Sequence, residues 1–140
     1  MSSVLIAAAI VVGAVAIALI VKRRRPDPPT QAAGVVPTQV DRADFVRPEA
    51  PWLVAVFTSA TCHTCADVAA KAEVLASDDV AVAEVSYDSA REIHRRYRID
   101  AVPTLLLADA DGVVRATALG PVAAQDLWSM VADARAADGG

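Results

Sequence analysis

A chain of 140 residues with a formal charge of -4 has room for one domain of ordinary size and a modest extension, but not for two full cores. Apolar residues make up 55% and aromatic residues only 4%, so the apolar content is small and aliphatic, which excludes disorder over the whole chain. The charge is uneven: positions 1–37 carry four basic residues and one acidic residue, whereas 38–140 carry nine basic and sixteen acidic, a body too acidic for a nucleic-acid partner.

From Val4 to Val21 every residue is apolar or Gly, a run of 18. As a helix it would reach about 27 Å, close to the thickness of a bilayer's hydrocarbon core. A secretory signal peptide would place basic residues ahead of the apolar stretch, and Met1-Ser2-Ser3 has none; a buried core helix would show a polar face, and this run has none. The run therefore predicts a single transmembrane helix. Lys22-Arg23-Arg24-Arg25 follows at once, and basic residues flanking a span stay on the cytoplasmic side, so residues 1–25 read as anchor and basic flank with the body in the cytoplasm. An extracytoplasmic body is the alternative. Residues 26–37 contain four prolines and no helical or strand period, as expected of an extended linker.

Residues 38–140 form the predicted folded domain. A short strand and turn can be placed near Thr38 to Phe45. Leu53 to Phe57 is a continuous apolar run, the pattern of a central strand covered on both faces. Helix formers fill 63–76 and stop at Ser77-Asp78-Asp79; Val80 to Val85 reads as a second central strand. Ala90 to Tyr97 is a short charged helix with Ile93 and Tyr97 on its buried edge. Thr104 to Leu107 and Val113 to Leu119 flank Asp111-Gly112, a hairpin signal, and a last helix runs from about Val122 to Ala136 with Leu127, Met130, Val131 and Ala134 on one face. This order predicts an α/β domain with a central mixed sheet and helices on both faces.

Cys62-His63-Thr64-Cys65 lies between the first central strand and the following helix. Unpaired N–H groups and the positive end of a helix dipole stabilise a thiolate there, which makes Cys62 the expected nucleophile. Cys65, one turn further in, is close enough to close a disulfide and resolves the mixed disulfide that Cys62 forms. Two cysteines make neither a disulfide scaffold nor a four-cysteine zinc site; a zinc knuckle would need a second ligand pair, and only His63 and His94 are available, so no metal is expected. A covalent haem would need His where Ala66 stands. Two inert buried cysteines are the remaining reading. His63 and Thr64 between the cysteines are the modulating positions: a protonated imidazole at His63 would stabilise the thiolate further and raise the reduction potential, unless His63 is simply an exposed helix residue. Trp52 and Trp128 read as core or edge packing. Arg91, Arg95, Arg96 and Arg98 read as a solvated face, with partner or lipid-headgroup contact as the alternative.

Three segments resemble the thioredoxin family: Leu53-Val54-Ala55-Val56-Phe57 leading into the Cys62–Cys65 motif, the stretch Tyr97 to Leu107 around Val102-Pro103-Thr104, and Asp111-Gly112 with Gly120 eight residues later. The resemblance covers about 38–137, with a shortened N-terminal strand and helix. It implies a thioredoxin fold and a cis bond before Pro103, so that Val102, Pro103 and Thr104 shape a substrate groove in which the free backbone of Val102 pairs with a substrate strand. Departures are also visible. Thr61 stands where Trp is frequent, His63-Thr64 where Gly-Pro is usual, Val56 where many members bury an acid, and Glu84 where a Lys often faces that acid. Without an acid at Val56 no base for Cys65 is evident.

These features together predict a membrane-tethered thiol-disulfide oxidoreductase, working as a reductase on disulfide-bearing protein substrates, with no cofactor beyond the cysteine pair and an electron donor the sequence does not identify. The competing class is a binding module of the same fold that holds a metal ion or a protein without turnover.

Overall fold

The computed structural model describes residues 36–139 together with Met1, Ile6, Val11 and residues 13–15. Chain contacts define two units, Met1–Ala32 and Ala33–Gly140. In the first unit Ile6, Val11 and residues 13–15 are helical. The predicted span 4–21 otherwise falls outside the described residues, as does nearly all of the linker at 26–37. Among the described residues no helix is long and apolar enough to cross a membrane.

The second unit is built on β1 (Trp52–Thr58), whose residues 53–57 are wholly buried. Its β-branched and small apolar residues suit a strand with no wet face. Burying a Leu, Val or Phe there contributes roughly 1.5–3 kcal/mol each. Strand β2 (Val80–Ser86) pairs parallel to β1, so a crossover is required, and α1 (Cys65–Glu73) supplies it. On the other side β3 (Thr104–Ala108) pairs antiparallel to β1 and β4 (Val114–Leu119) antiparallel to β3, giving the order β2-β1-β3-β4. Two further helices are α2 (Arg91–Arg96) and α3 (Ala124–Asp138). The mixed sheet flanked by helices is thus as the sequence implied.

Strand alternation sorts the core into two layers. Val54, Val56, Leu105 and Leu107 face Val68 and Ala72 of α1 and Leu127 and Val131 of α3. Leu53, Ala55, Phe57, Ala83 and Leu106 face the other way, onto Phe45, Ile93 and Tyr97. Helix α2 also buries a residue the periodicity overlooked. His94 is 2% exposed, its Nε2 lies 2.9 Å from the Val85 carbonyl oxygen, and its ring meets Phe57 and Tyr87 edge-on. Of the arginines near α2, Arg96 grips Asp44 with both oxygens at 2.6 and 2.7 Å, and Arg91 lies over the Tyr87 ring. Tyr97 donates a very short hydrogen bond to the same Asp44 carboxylate, and burial together with that bond raises its phenol pKa.

Near Thr38 to Phe45 a single bridge, Gln39 to Val113, and a 3-10 turn at Arg42–Asp44 replace the expected short strand. The connection from β3 to β4 is also longer than a two-residue hairpin. The Asp109 carboxylate organises it by accepting from the Asp111 and Val113 N–H groups and from Arg115 Nε. The 38–40 segment lies against this loop, with Val40 N–H donating to the Gly112 carbonyl and Val114 N–H to the Thr38 carbonyl. A Cβ at Gly112 would stand 2.0 Å from the Val40 oxygen, and its φ is 78°; Gly120 has φ 76° but open space around it. Urea unfolding should therefore show Gly112→Ala losing about 3 kcal/mol and Gly120→Ala about 1 kcal/mol. Equal losses would mean that the Val40 backbone withdraws without cost.

Candidate active site

The site begins where β1 ends. After Thr58 the chain turns through residues 59–61, and Asp88 from the loop after β2 fixes that turn by accepting from the Ala60 N–H at 3.0 Å. Cys62 N–H donates to the Ser59 carbonyl at 3.2 Å, leaving the Cys62 side chain half-buried at the surface. Helix α1 opens at Cys65, two residues later than its sequence pattern suggests, with Thr64 as N-cap. Thr64 makes no side-chain capping bond; its Oγ1 lies 3.8 Å from Cys62 Sγ instead. A disulfide sulfur has no proton to give, so the Thr64 hydroxyl is the donor, and it is placed to stabilise a thiolate at the same atom.

Cys62 and Cys65 are joined as a disulfide, with Cα atoms 5.5 Å apart. The two sulfurs differ in surroundings: Cys65 is 3% exposed, whereas Cys62 is only half-buried. His63 is exposed. Among the described residues no three His, Cys, Asp or Glu side chains gather to hold a metal ion, and His94 is turned to Val85 on the opposite layer of the core.

The Val102–Pro103 peptide bond is cis. Thr104 opens β3 and its hydroxyl donates to the Ala101 carbonyl at 2.7 Å, while Pro103 accepts from the Gly120 N–H at 2.8 Å. Val102 is half-buried and, among the described residues, its N–H and C=O enter no hydrogen bond. It lines a cavity of about 330 Å³ with Ser59, Tyr87, His94, Ile99 and Asp100. Ser59 belongs to the turn that carries Cys62, so the cavity joins the Val102 segment to the cysteine loop.

Val56 is wholly buried, and its register partner on β2 is Glu84. The residue that sequence reasoning undervalued is Glu84. It interrupts the apolar strand Val80 to Val85, and the structure gives it a partner, Thr58 Oγ1 at 2.9 Å. Trp52 is buried in the core, whereas Trp128 is 46% exposed. The Val56–Glu84 register makes a pH-dependent prediction. An Asp placed at 56 would be buried opposite a carboxylate, so its folded-state pKa is raised above the unfolded value, and the penalty is present above that unfolded value and relieved below it. Val56→Asp should lose about 2–4 kcal/mol at neutral pH, with the gap to the parent protein narrowing as pH falls towards 4. A gap independent of pH would show that the new carboxyl escapes to water.

The family model described as Thioredoxin matches residues 37–133. Among solved structures the chain is similar to a mutant thioredoxin from Halobacterium salinarum NRC-1, with 26% identity and a TM-score of 0.53, over 60% of this chain and 74% of that one. It is also similar to a malarial protein at 16% identity and a TM-score of 0.54, over 59% of this chain and 96% of that one, a likeness of fold alone. A search of the curated proteins finds no match.

Proposed function

Because this chain belongs to the thioredoxin family, we propose that it is a membrane-tethered thiol-disulfide oxidoreductase that reduces disulfides of protein substrates. The observation that carries the reading is the asymmetric pair: Cys62 accessible beside a hydroxyl donor, and Cys65 bonded to it but shielded. In the dithiol form the Cys62 thiolate attacks a substrate disulfide, forming a Cys62–substrate bond and releasing one substrate thiolate. Cys65 then loses its proton and attacks Cys62 Sγ. The Cys62–Cys65 bond forms, the second substrate sulfur leaves as a thiolate and takes up a proton, and two electrons have passed to the substrate. Turnover needs a thiol donor to reopen the pair. Val102, with its free N–H and C=O beside the cysteine loop, is suited to hold an extended substrate segment by strand pairing.

Trapping tests the order of attack. Cys65→Ser should accumulate a mixed disulfide through Cys62, visible by non-reducing electrophoresis with a disulfide-bearing protein, and Cys62→Ser should accumulate none. Equal trapping by both variants would show that the two sulfurs are interchangeable.

Tethering and sidedness rest on the apolar run 4–21 and the basic block after it. A cytoplasmic body meets glutathione and thioredoxin systems that favour the dithiol, which supports the reductase direction. Thr30→Cys in a Cys62→Ser, Cys65→Ser background should resist a membrane-impermeant thiol reagent in intact cells and react after lysis. Labelling before lysis would reverse the topology and turn the reading into an extracytoplasmic thiol-disulfide exchanger.

A further inference from the structure

Helix α2 buries a histidine that the disulfide exchange does not use. His94 is 2% exposed, its Nε2 lies 2.9 Å from the Val85 carbonyl oxygen, and it lines the cavity that joins the Val102 segment to the cysteine loop. Resting on the dithiol reading above, we infer that this cavity is a specificity pocket for a tyrosine side chain of the substrate, whose phenol donates to His94 Nδ1.

The tautomer follows from the partner. A carbonyl oxygen only accepts, so Nε2 carries the shared proton, and in the neutral ring Nδ1 is left as a bare acceptor. Among the described residues Nδ1 has no hydrogen-bond partner, and the one fully enclosed side-chain nitrogen or oxygen without a partner is Arg42 Nε, so Nδ1 opens onto the cavity. An acceptor in so buried a ring is costly to leave unpaired, and an incoming hydroxyl recovers that cost.

The walls select the rest of the ligand. Ile99 and Val102 are apolar and half-buried, and the Tyr87 ring, 43% exposed, meets His94 in a T-shaped contact. Ile99 N–H donates to the His94 carbonyl at 2.9 Å, which seats wall and helix together. A cavity of about 330 Å³ has room for a ring, and aliphatic and aromatic walls favour one. The exposed charges beside it, Asp100 on the wall and Arg91 over the Tyr87 ring, are of opposite sign. A lysine reaching His94 would give up its hydration for a single neutral acceptor, whereas a phenol brings one neutral donor to it. Ser59, the remaining wall residue, belongs to the Cys62 turn, and the Val102 N–H and C=O are free. A substrate strand paired with Val102 therefore offers the pocket a residue close in sequence to the reacting half-cystine.

The test follows reduction of short peptide disulfides by the full chain in detergent micelles, with dithiothreitol as thiol donor. The peptides carry Tyr, Phe, Lys or Ala in turn at each position within two residues of the cysteine. At one position kcat/KM should be roughly tenfold higher for Tyr than for Phe, with Lys no better than Ala. His94→Phe, which keeps a ring against Phe57, should abolish the Tyr preference and leave the rate for the Phe peptide unchanged. Nitrogen NMR of the parent protein needs no variant to fold: a Tyr peptide with serine in place of its cysteine should move the His94 Nδ1 resonance towards the protonated range, and its Phe counterpart should not. Equal rates for Tyr and Phe at every position, a preference for Lys, an unmoved Nδ1 resonance, or a Tyr preference that survives in folded His94→Phe would each overturn the inference. A parent protein that reduces none of the peptides would instead sink the dithiol reading itself, and the pocket's role with it.

Discussion

Everything at the site depends on β1 being dry on both faces. Residues 53–57 are at 0% exposure, and the strand is hydrogen-bonded to β2 on one side and β3 on the other. Such a strand has no surface of its own, so its chain reaches water only at its ends. The parallel pairing with β2 then forces a helical crossover from the C-terminal end, and the turn joining strand to helix becomes an exposed, rigidly seated loop. Cys62 and Cys65 occupy that loop and the first helical position. The contrast between an accessible and a shielded sulfur follows from where the strand stops and the helix begins.

Hydrophobic pattern made most of this legible in advance. The apolar runs at 53–57 and 80–85, the Ala-rich stretch after the cysteines and the spacing of Leu127 and Val131 carry enough periodic signal to place strands and helices. The Cys62–Cys65 spacing and the Val102-Pro103 segment marked the site because their chemistry is local. What pattern could not reveal was polar structure held by distant partners. His94 looks like part of a charged helix, yet it is buried because the Val85 carbonyl, nine residues earlier, satisfies its Nε2. Glu84 is exposed on β2, and its bond to the buried Thr58 depends on the register between β1 and β2. The strand expected near Thr38 to Phe45 reduces to one bridge because Asp41 caps a 3-10 turn immediately after it.

The N-terminal segment of the domain adds side-chain polar contacts to its single bridge and to the burial of Val40 and Phe45. Arg42 is 7% exposed and reaches the Asp109 and Arg47 carbonyls through its two terminal nitrogens, while among the described residues its Nε has no partner. Burial lowers its pKa, against the opposing pull of Asp109 and Glu49. Arg47, in turn, donates to the Ser77 and Asp78 carbonyls at 2.7 Å, tying the same segment to the turn between α1 and β2. Residues 38–47 therefore link the β3–β4 loop to the far end of the crossover, a belt of directional bonds around a core held by non-directional burial.

The positions of the two tryptophans settle what the intrinsic fluorescence of this protein observes. Trp52 opens β1, so the seven residues of that strand, about 20 Å of extended chain, separate its indole from the cysteine turn. Trp128 sits half in solvent on α3. Neither ring stands in the turn beside the sulfurs, where an electronic change at the disulfide would quench an excited indole by contact. The fluorescence of Trp52 thus reports the packing of the sheet, while that of Trp128 reports the exposure of the last helix.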